Sequence, residues 1–127
     1  MDKAIFVGLG GFIGSVLRYW ASGAVQQIAN NPTFPLGTLA VNLAGCLVIG
    51  FLSQLAESRG IFTPETRAFV FVGILGGFTT FSTFGNETMN FLRDGEGLPA
   101  LWNVGAHIFI GLAAIWLGRS IAYWIWR

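Results

Sequence analysis

The chain has 127 residues and a formal net charge of +1, with 54% of its residues hydrophobic and only 10% charged. A soluble domain carries about 25% charged residues and needs them at its surface, so these proportions exclude an ordinary soluble enzyme and a disordered chain. The near-neutral balance leaves no basic face for nucleic acid, and a mean hydropathy of +0.64 points to lipid.

Charged residues divide the sequence into uncharged runs. Residues 4–17 are apolar and glycine-rich, Arg18 interrupts, and residues 19–31 continue without charge. Residues 36–56, 68–86 and 98–118 form three further uncharged runs of about 19 to 21 residues. At about 1.5 Å per residue, each crosses the roughly 30 Å hydrocarbon core. The expected fold is all-α: an integral membrane protein with four transmembrane helices, roughly 4–28, 36–56, 66–92 and 98–125, in one transmembrane domain over residues 1–127.

The separators fit that division. Asn30-Asn31-Pro32 and Pro35-Leu36-Gly37 form a first loop rich in turn residues. Glu57-Ser58-Arg59-Gly60 opens the second, and Thr63-Pro64-Glu65 has the form of a helix start, with Thr63 as N-cap and Pro64 at the first helical position. Arg93-Asp94-Gly95-Glu96-Gly97 forms the third. A cleaved signal peptide would place its apolar-to-small transition near Ala21-Ser22-Gly23, but Arg18-Tyr19-Trp20 interrupts there and three further spans follow.

With four spans the two termini share a face. Lys3, Arg59, Arg67 and Arg127 fall on that face, with Arg119 near it, against Arg93 and Arg18. The bias leans towards cytoplasmic termini. It is weak enough for insertion in both orientations and antiparallel pairing of two copies.

Little enzyme chemistry is present. Cys46 is the one cysteine, so it supports neither an intramolecular disulfide nor a metal-ligand spacing. In its apolar run it reads as a small buried hydrophobe. His107 is the one histidine, too little for a metal site or a triad. The chain is expected not to be an enzyme.

Polar residues inside a span are costly and mark function by default. Asn42 is either an interhelical hydrogen-bonding residue or an amide lining a polar path, with two donors for an anion. Arg18 either snorkels to the interface or sets a positive charge in a water-filled vestibule. Glu87 is a helix-end charge or a vestibule group. His107 is a hydrogen-bonded interior residue or a proton carrier. Gly10 with Gly14, Gly11 with Ser15 and Ala40 with Ala44 are small-residue pairs suited to close helix contact. Gly8-Leu9-Gly10-Gly11-Phe12-Ile13 fails as a nucleotide fingerprint because Ile13 stands in the last glycine's place.

One stretch is unlike a lipid-facing helix: Gly76-Gly77-Phe78-Thr79-Thr80-Phe81-Ser82-Thr83-Phe84-Gly85-Asn86-Glu87. Adjacent glycines each weaken a helix by about 1 kcal/mol relative to alanine, and four hydroxyl residues follow within five positions. The third helix is therefore expected to break near residues 76–79. Irregular backbone at that depth survives only where it is buried in protein or lines a cavity, and freed carbonyls there suit a cation with oxygen ligands. Phe78, Phe81 and Phe84 form one ridge. Thr80, Thr83 and Glu87 form a second row, and Thr79, Ser82 and Asn86 a third. An anion would find hydroxyl donors and positive ring edges there. The same residues would equally serve as helix-interface filling and hydroxyls bonded back to their own carbonyls.

The Gly76-to-Phe84 stretch, together with Gly37-Thr38-Leu39-Ala40-Val41-Asn42-Leu43-Ala44-Gly45 and Gly14-Ser15-Val16-Leu17-Arg18-Tyr19, closely resembles the Fluc family of small bacterial fluoride channels. The resemblance covers essentially the whole chain, with the motifs in the matching spans and order. It implies an antiparallel, dual-topology homodimer with two pores, embedded in lipid and exporting fluoride passively across the bacterial cytoplasmic membrane as a resistance device. It implies ring edges of Phe81 and Phe84 and the amide of Asn42 along the fluoride path, with Thr80, Ser82 and Thr83 as a hydroxyl track. It further implies a structural sodium ion at the dimer centre, held by backbone carbonyls of Gly76 and Thr79 from both subunits. Arg18 and Glu87 fall at vestibule-side positions.

Fluoride is small and strongly hydrated, so its lining must replace water at close range, yet bind weakly enough to let it leave. Three rival readings are weaker. A small multidrug exporter needs a carboxylate in an early span, and neither of the first two spans has one. A proton-coupled fluoride exporter would depend on His107 and Glu87, the titratable candidates. A non-transporting packing subunit would leave the hydroxyl-rich break without purpose.

Overall fold

In the computed structural model, which describes residues 2–127, the first helix begins where the Asp2 carboxylate accepts a hydrogen bond from the Ala4 N–H. This helix, α1 (Lys3–Ala29), closes at Asn30, whose left-handed backbone has φ of 47°. The loop that follows is held by side chains. Gln26 donates to the carbonyls of Asn31 and Phe34 and accepts from the Gly37 N–H, while Asn31 Oδ1 accepts from Thr33 and Phe34. Helix α2 (Leu36–Arg59) ends at Gly60 in the left-handed region, φ 59°.

The third span opens as its sequence indicates. Thr63 accepts from the Thr66 N–H and Pro64 occupies the first turn. Its first half, α3 (residues 64–78), is α-helical at Pro64–Arg67, π-wound at Ala68–Leu75 and α-helical again at Gly76–Phe78. Thr79 and Thr80 are extended, at φ −96°, ψ 157° and φ −150°, ψ 113°. The second half, α4 (Phe81–Arg93), then leads to α5 (Gly97–Ile125), which is π-wound at Ala106–Ile110. Lys3–Ala29, Leu36–Arg59, Pro64–Arg93 and Gly97–Ile125 are each long and apolar enough to cross a membrane. No strand occurs among the described residues.

The expected break is present, and its carriers are the two threonines. Gly76 and Gly77 stay helical, and Gly77 serves contact instead: a methyl group there would lie 2.7 Å from the Gly11 carbonyl oxygen. On the facing helix, a methyl at Gly14 would collide with the Ile74 carbonyl oxygen. Absent side chains thus let α1 lie along α3, as small residues do between membrane helices. Helix α2 lies along α5 in the same way. Ala44 is exposed, so the Ala40–Ala44 pair makes no such contact within this chain.

The chain is apolar on the outside. Buried hydrophobic side chains are few, including Val41, Leu75, Phe91 and Ala122, while Trp20, Trp102, Phe109, Trp116 and Trp124 are exposed. That distribution suits a protein solvated by lipid. Polar anchoring gathers towards the ends of α2 and α5. Arg119 grips the Glu57 carboxylate with two bonds of 2.9 Å, Arg59 donates to the Trp126 carbonyl at 3.0 Å, and Arg127 stacks over the Trp124 ring.

Gly14→Leu forces a side chain into the α1–α3 backbone contact, and overpacking of this kind costs about 1–3 kcal/mol. The expected outcome is a clearly lowered melting temperature of the detergent-solubilised protein, followed by size-exclusion chromatography after heating. An unchanged melting temperature would contradict the α1–α3 contact.

Candidate functional site

A helix interrupted in mid-membrane has backbone N–H and C=O groups that neither helix half can pair. Asn42, one turn and a half into α2, meets them. Its Oδ1 accepts from the Thr80 N–H at 2.8 Å, and its Nδ2 donates to the Thr80 carbonyl at 3.1 Å. One amide side chain therefore replaces a missing backbone rung. Thr80 in turn caps α4, accepting from the Thr83 N–H at 3.2 Å. Thr79 bonds back to the Leu75 carbonyl through both its N–H, at 3.0 Å, and its hydroxyl, at 2.9 Å. Gly45 lets the Thr79 methyl sit against α2, since a Cβ there would collide with it.

The network continues into α5. Asn42 Nδ2 lies 3.1 Å from His107 Nε2, and His107 Nδ1 lies 2.9 Å from the Asn103 carbonyl oxygen. The Phe84 ring stands 4.2 Å from the His107 ring, centroid to centroid. Asn103 is fully buried and donates to Thr88 Oγ1 at 3.0 Å, and Thr88 donates to the Phe84 carbonyl at 2.9 Å. Both Asn42 donors are thus engaged. Of the two readings open for Asn42, the interhelical bond is realised, and the residue also borders a cavity.

That cavity, of about 470 Å³, brings together Asn42, Gly76, Thr79, Thr80, Phe81 and Phe84, with His107 and Cys46 on its wall. Phe81 is 81% exposed at its open side, and its ring lies 5.4 Å from that of Phe84. A second cleft, of about 220 Å³, lies on the other side of Thr80 and is polar: Ser15, Arg18, Ser22, Thr38 and Thr83 line it. Thr80 Oγ1 donates to Thr83 Oγ1 at 3.0 Å, and Ser82 Oγ lies 3.3 Å from Thr80 Oγ1. Ser82 itself faces outward. On α4, Phe84 therefore borders the cavity and Thr83 the polar cleft, with Thr80 common to both.

Glu87 is further along α4, where Oε1 accepts from the Thr38 hydroxyl at 2.6 Å while Oε2 is buried without a partner. Thr38 also borders the Arg18 cleft, and so joins the two charged positions. Thr38 carries no role in the sequence reading, its one mark being a hydroxyl in an otherwise apolar span, and His107 takes the hydrogen-bonded interior position of its two readings.

The break takes the helical donors away from two carbonyls. In a continuous helix the N–H groups of Thr80 and Thr83 would bond to the Gly76 and Thr79 carbonyls. Here they go to Asn42 Oδ1 and Thr80 Oγ1. Gly76 and Thr79 both border the cavity. Among the described residues no cluster of three His, Cys, Asp or Glu side chains could hold a metal, so neutral oxygen is the donor chemistry on offer here.

A family model described as CrcB-like protein, Camphor Resistance (CrcB), matches residues 5–119, a range that contains every position above. The chain belongs to the CrcB family. Proteins named fluoride-specific ion channel FluC are among its relatives. One from Methylobacillus flagellatus is 46% identical over 122 residues, covering 95% of this chain and 94% of the relative. One from Methanosarcina acetivorans, FluC 1, is 42% identical over 122 residues, covering 96% and 92%. One from Chlorobium chlorochromatii is 43% identical over 128 residues, covering 98% of each. This CrcB-family chain, with its four apolar spans, is a multi-pass protein of the cell membrane.

Asn42→Ala removes both partners of Thr80, and each buried polar group left unpaired costs about 1–3 kcal/mol. Hydrogen exchange should accelerate selectively over residues 79–83 while α1 retains its protection. Unchanged exchange there would show that Asn42 does not hold the break.

Proposed function

We propose that this CrcB-family chain is a fluoride-selective channel through which fluoride leaves the cell passively, a resistance device that performs no covalent chemistry and is not an enzyme. The observation that carries the proposal is the hydroxyl-rich break flanked by Phe81 and Phe84 in the middle of the third span, in a chain 40–46% identical to proteins named fluoride-specific ion channels. Fluoride gives up water along this path and takes hydroxyl hydrogens of Ser82 and Thr83 and the positive ring edges of Phe81 and Phe84. Thr80 donates its own hydroxyl hydrogen to Thr83 and so orients the hydroxyl track. Asn42 borders the path and keeps Thr80 in place. Arg18 raises the anion concentration at the polar cleft without standing beside the phenylalanines, and Glu87 stands at the vestibule side.

The working unit is an antiparallel homodimer in lipid. Gly76 and Ser82 are exposed near the middle of a 30-residue span, along with the open side of the cavity. Hydrocarbon cannot satisfy a carbonyl or hydroxyl at that depth, so a second copy covers them, and the weak charge bias allows it to insert the other way up. The Gly76 and Thr79 carbonyls would hold a sodium ion at the dimer centre as neutral oxygen ligands, and the ion would supply a positive charge there.

The test is fluoride efflux from proteoliposomes, read with a fluoride electrode, with chloride-loaded vesicles as control. Rapid fluoride release without a proton gradient, with chloride retained, is the expected result. Release that requires an imposed pH gradient would indicate proton-coupled export, and no release from folded protein would overturn the channel. Phe81→Ile and Phe84→Ile should each abolish flux while leaving the protein folded, because an aliphatic side chain presents no positive ring edge.

A further inference from the structure

We propose that His107, as the neutral tautomer protonated on Nδ1, sets the orientation of the Asn42 amide and through it holds the Thr79–Thr80 break; it is a positioning residue and not a proton carrier. The flux arms of its test rest on the channel reading above, and the spectroscopic arms do not.

The orientation of Asn42 is fixed from two independent sides. On one side stands the Thr80 backbone, whose N–H can only donate and whose carbonyl can only accept, so Oδ1 must face the first and Nδ2 the second. On the other side stands the Asn103 carbonyl, which can only accept. It lies 2.9 Å from His107 Nδ1, so that nitrogen carries the proton. A neutral ring then has a lone pair on Nε2, which requires a donor at 3.1 Å, and Asn42 Nδ2 is there. Amide and ring orientations are ordinarily inferred from such networks, and here both ends give the same answer.

The consequence is a coupling. A proton on Nε2 would set two donors against each other across 3.1 Å. Turning the amide to relieve that would set Oδ1 against the Thr80 carbonyl and Nδ2 against the Thr80 N–H. The His107 bond and the two Thr80 bonds therefore stand or fall together. The ring is held for the task. Phe84 lies against it, the Asn103 side chain ties α5 to α4 through Thr88, and His107 lies in the π-wound turn Ala106–Ile110. Wide turns of this kind recur at functional positions. Among the described residues, the only other titratable side chain lining the cavity is Cys46 on α2, and Glu87 on α4 is turned to Thr38. No carboxylate stands beside the ring to favour its charged form.

Side chains that reach different distances separate orientation from filling. Gln at 107 can place an acceptor where Nε2 stands; Asn is one carbon too short, and Leu fills space without accepting. His107→Gln should retain fluoride flux within about twofold of wild type, whereas His107→Asn and His107→Leu should lose about tenfold or more, the scale of one lost buried hydrogen bond. The same two variants should show faster hydrogen exchange over residues 79–83, and His107→Gln should not. In the wild type, nitrogen NMR should find Nδ1 protonated and Nε2 bare. An Nε2-protonated or doubly protonated ring would overturn the proposal, as would wild-type flux and exchange in His107→Leu, or a His107→Gln variant as impaired as His107→Leu. If the wild type conducts no fluoride, the channel reading fails while the NMR and exchange results still decide the role of His107.

Discussion

Two residues of extended backbone in the middle of a membrane span create a demand that lipid cannot meet, and the way this chain meets it organises everything around it. The Thr80 N–H and carbonyl are paired by one amide from another helix. That pairing fixes where α2 lies against the third span, how α4 begins, and which carbonyls of α3 lose their helical donors. Were the break filled by water alone, the site would have no defined geometry. Asn42 gives it one with a neutral group, so the break needs no charged side chain to hold it at that depth.

The charged residues keep their distance in consequence. Arg18 borders the polar cleft between α1, α2 and α4, and Glu87 is bonded to Thr38 further along α4, so neither borders the cavity of Phe81 and Phe84. A small, strongly hydrated anion bound directly by a guanidinium in a dry site would be held too tightly to move. In the channel proposed above, hydroxyls and ring edges would be individually weak partners, and weak partners in number are what passage requires. Phe84 and Thr83, neighbours on α4, border the apolar cavity and the polar cleft respectively.

Much of this was legible in the sequence. Spacing of charges gave the four spans, Thr63-Pro64 gave the start of the third, and the glycine–threonine stretch gave the break. What the sequence could not apportion was labour within that stretch. Gly76 and Gly77 look like the weak point because glycine is a poor helix former, yet they are helical, and Gly77 is small because α1 runs against it. The break belongs to Thr79 and Thr80, where a partner outside the helix competes for the backbone. Propensity is a local quantity, and the competing partner sits 38 residues earlier in the chain. For the same reason the links from Asn42 to His107, 65 residues apart, and from Thr38 to Glu87, 49 apart, carried no signal beyond polarity in an apolar run.

The amide at position 42 also resolves a tension between holding a site and lining it. With its oxygen on the Thr80 N–H and its two N–H groups on the Thr80 carbonyl and His107, Asn42 has no donor to spare for a passing ion. A residue so fully engaged acts on the backbone break: it keeps Thr80 where it is. Threonine 80 is the point at which the two functions meet: its backbone is held by Asn42, its hydroxyl caps α4 and bonds to Thr83, and it borders both the aromatic cavity and the polar cleft. The two bonds to the Thr80 backbone fix the hydroxyl group beside it, and in the proposed channel that fixed position would let weak, neutral partners be placed accurately enough to substitute for water.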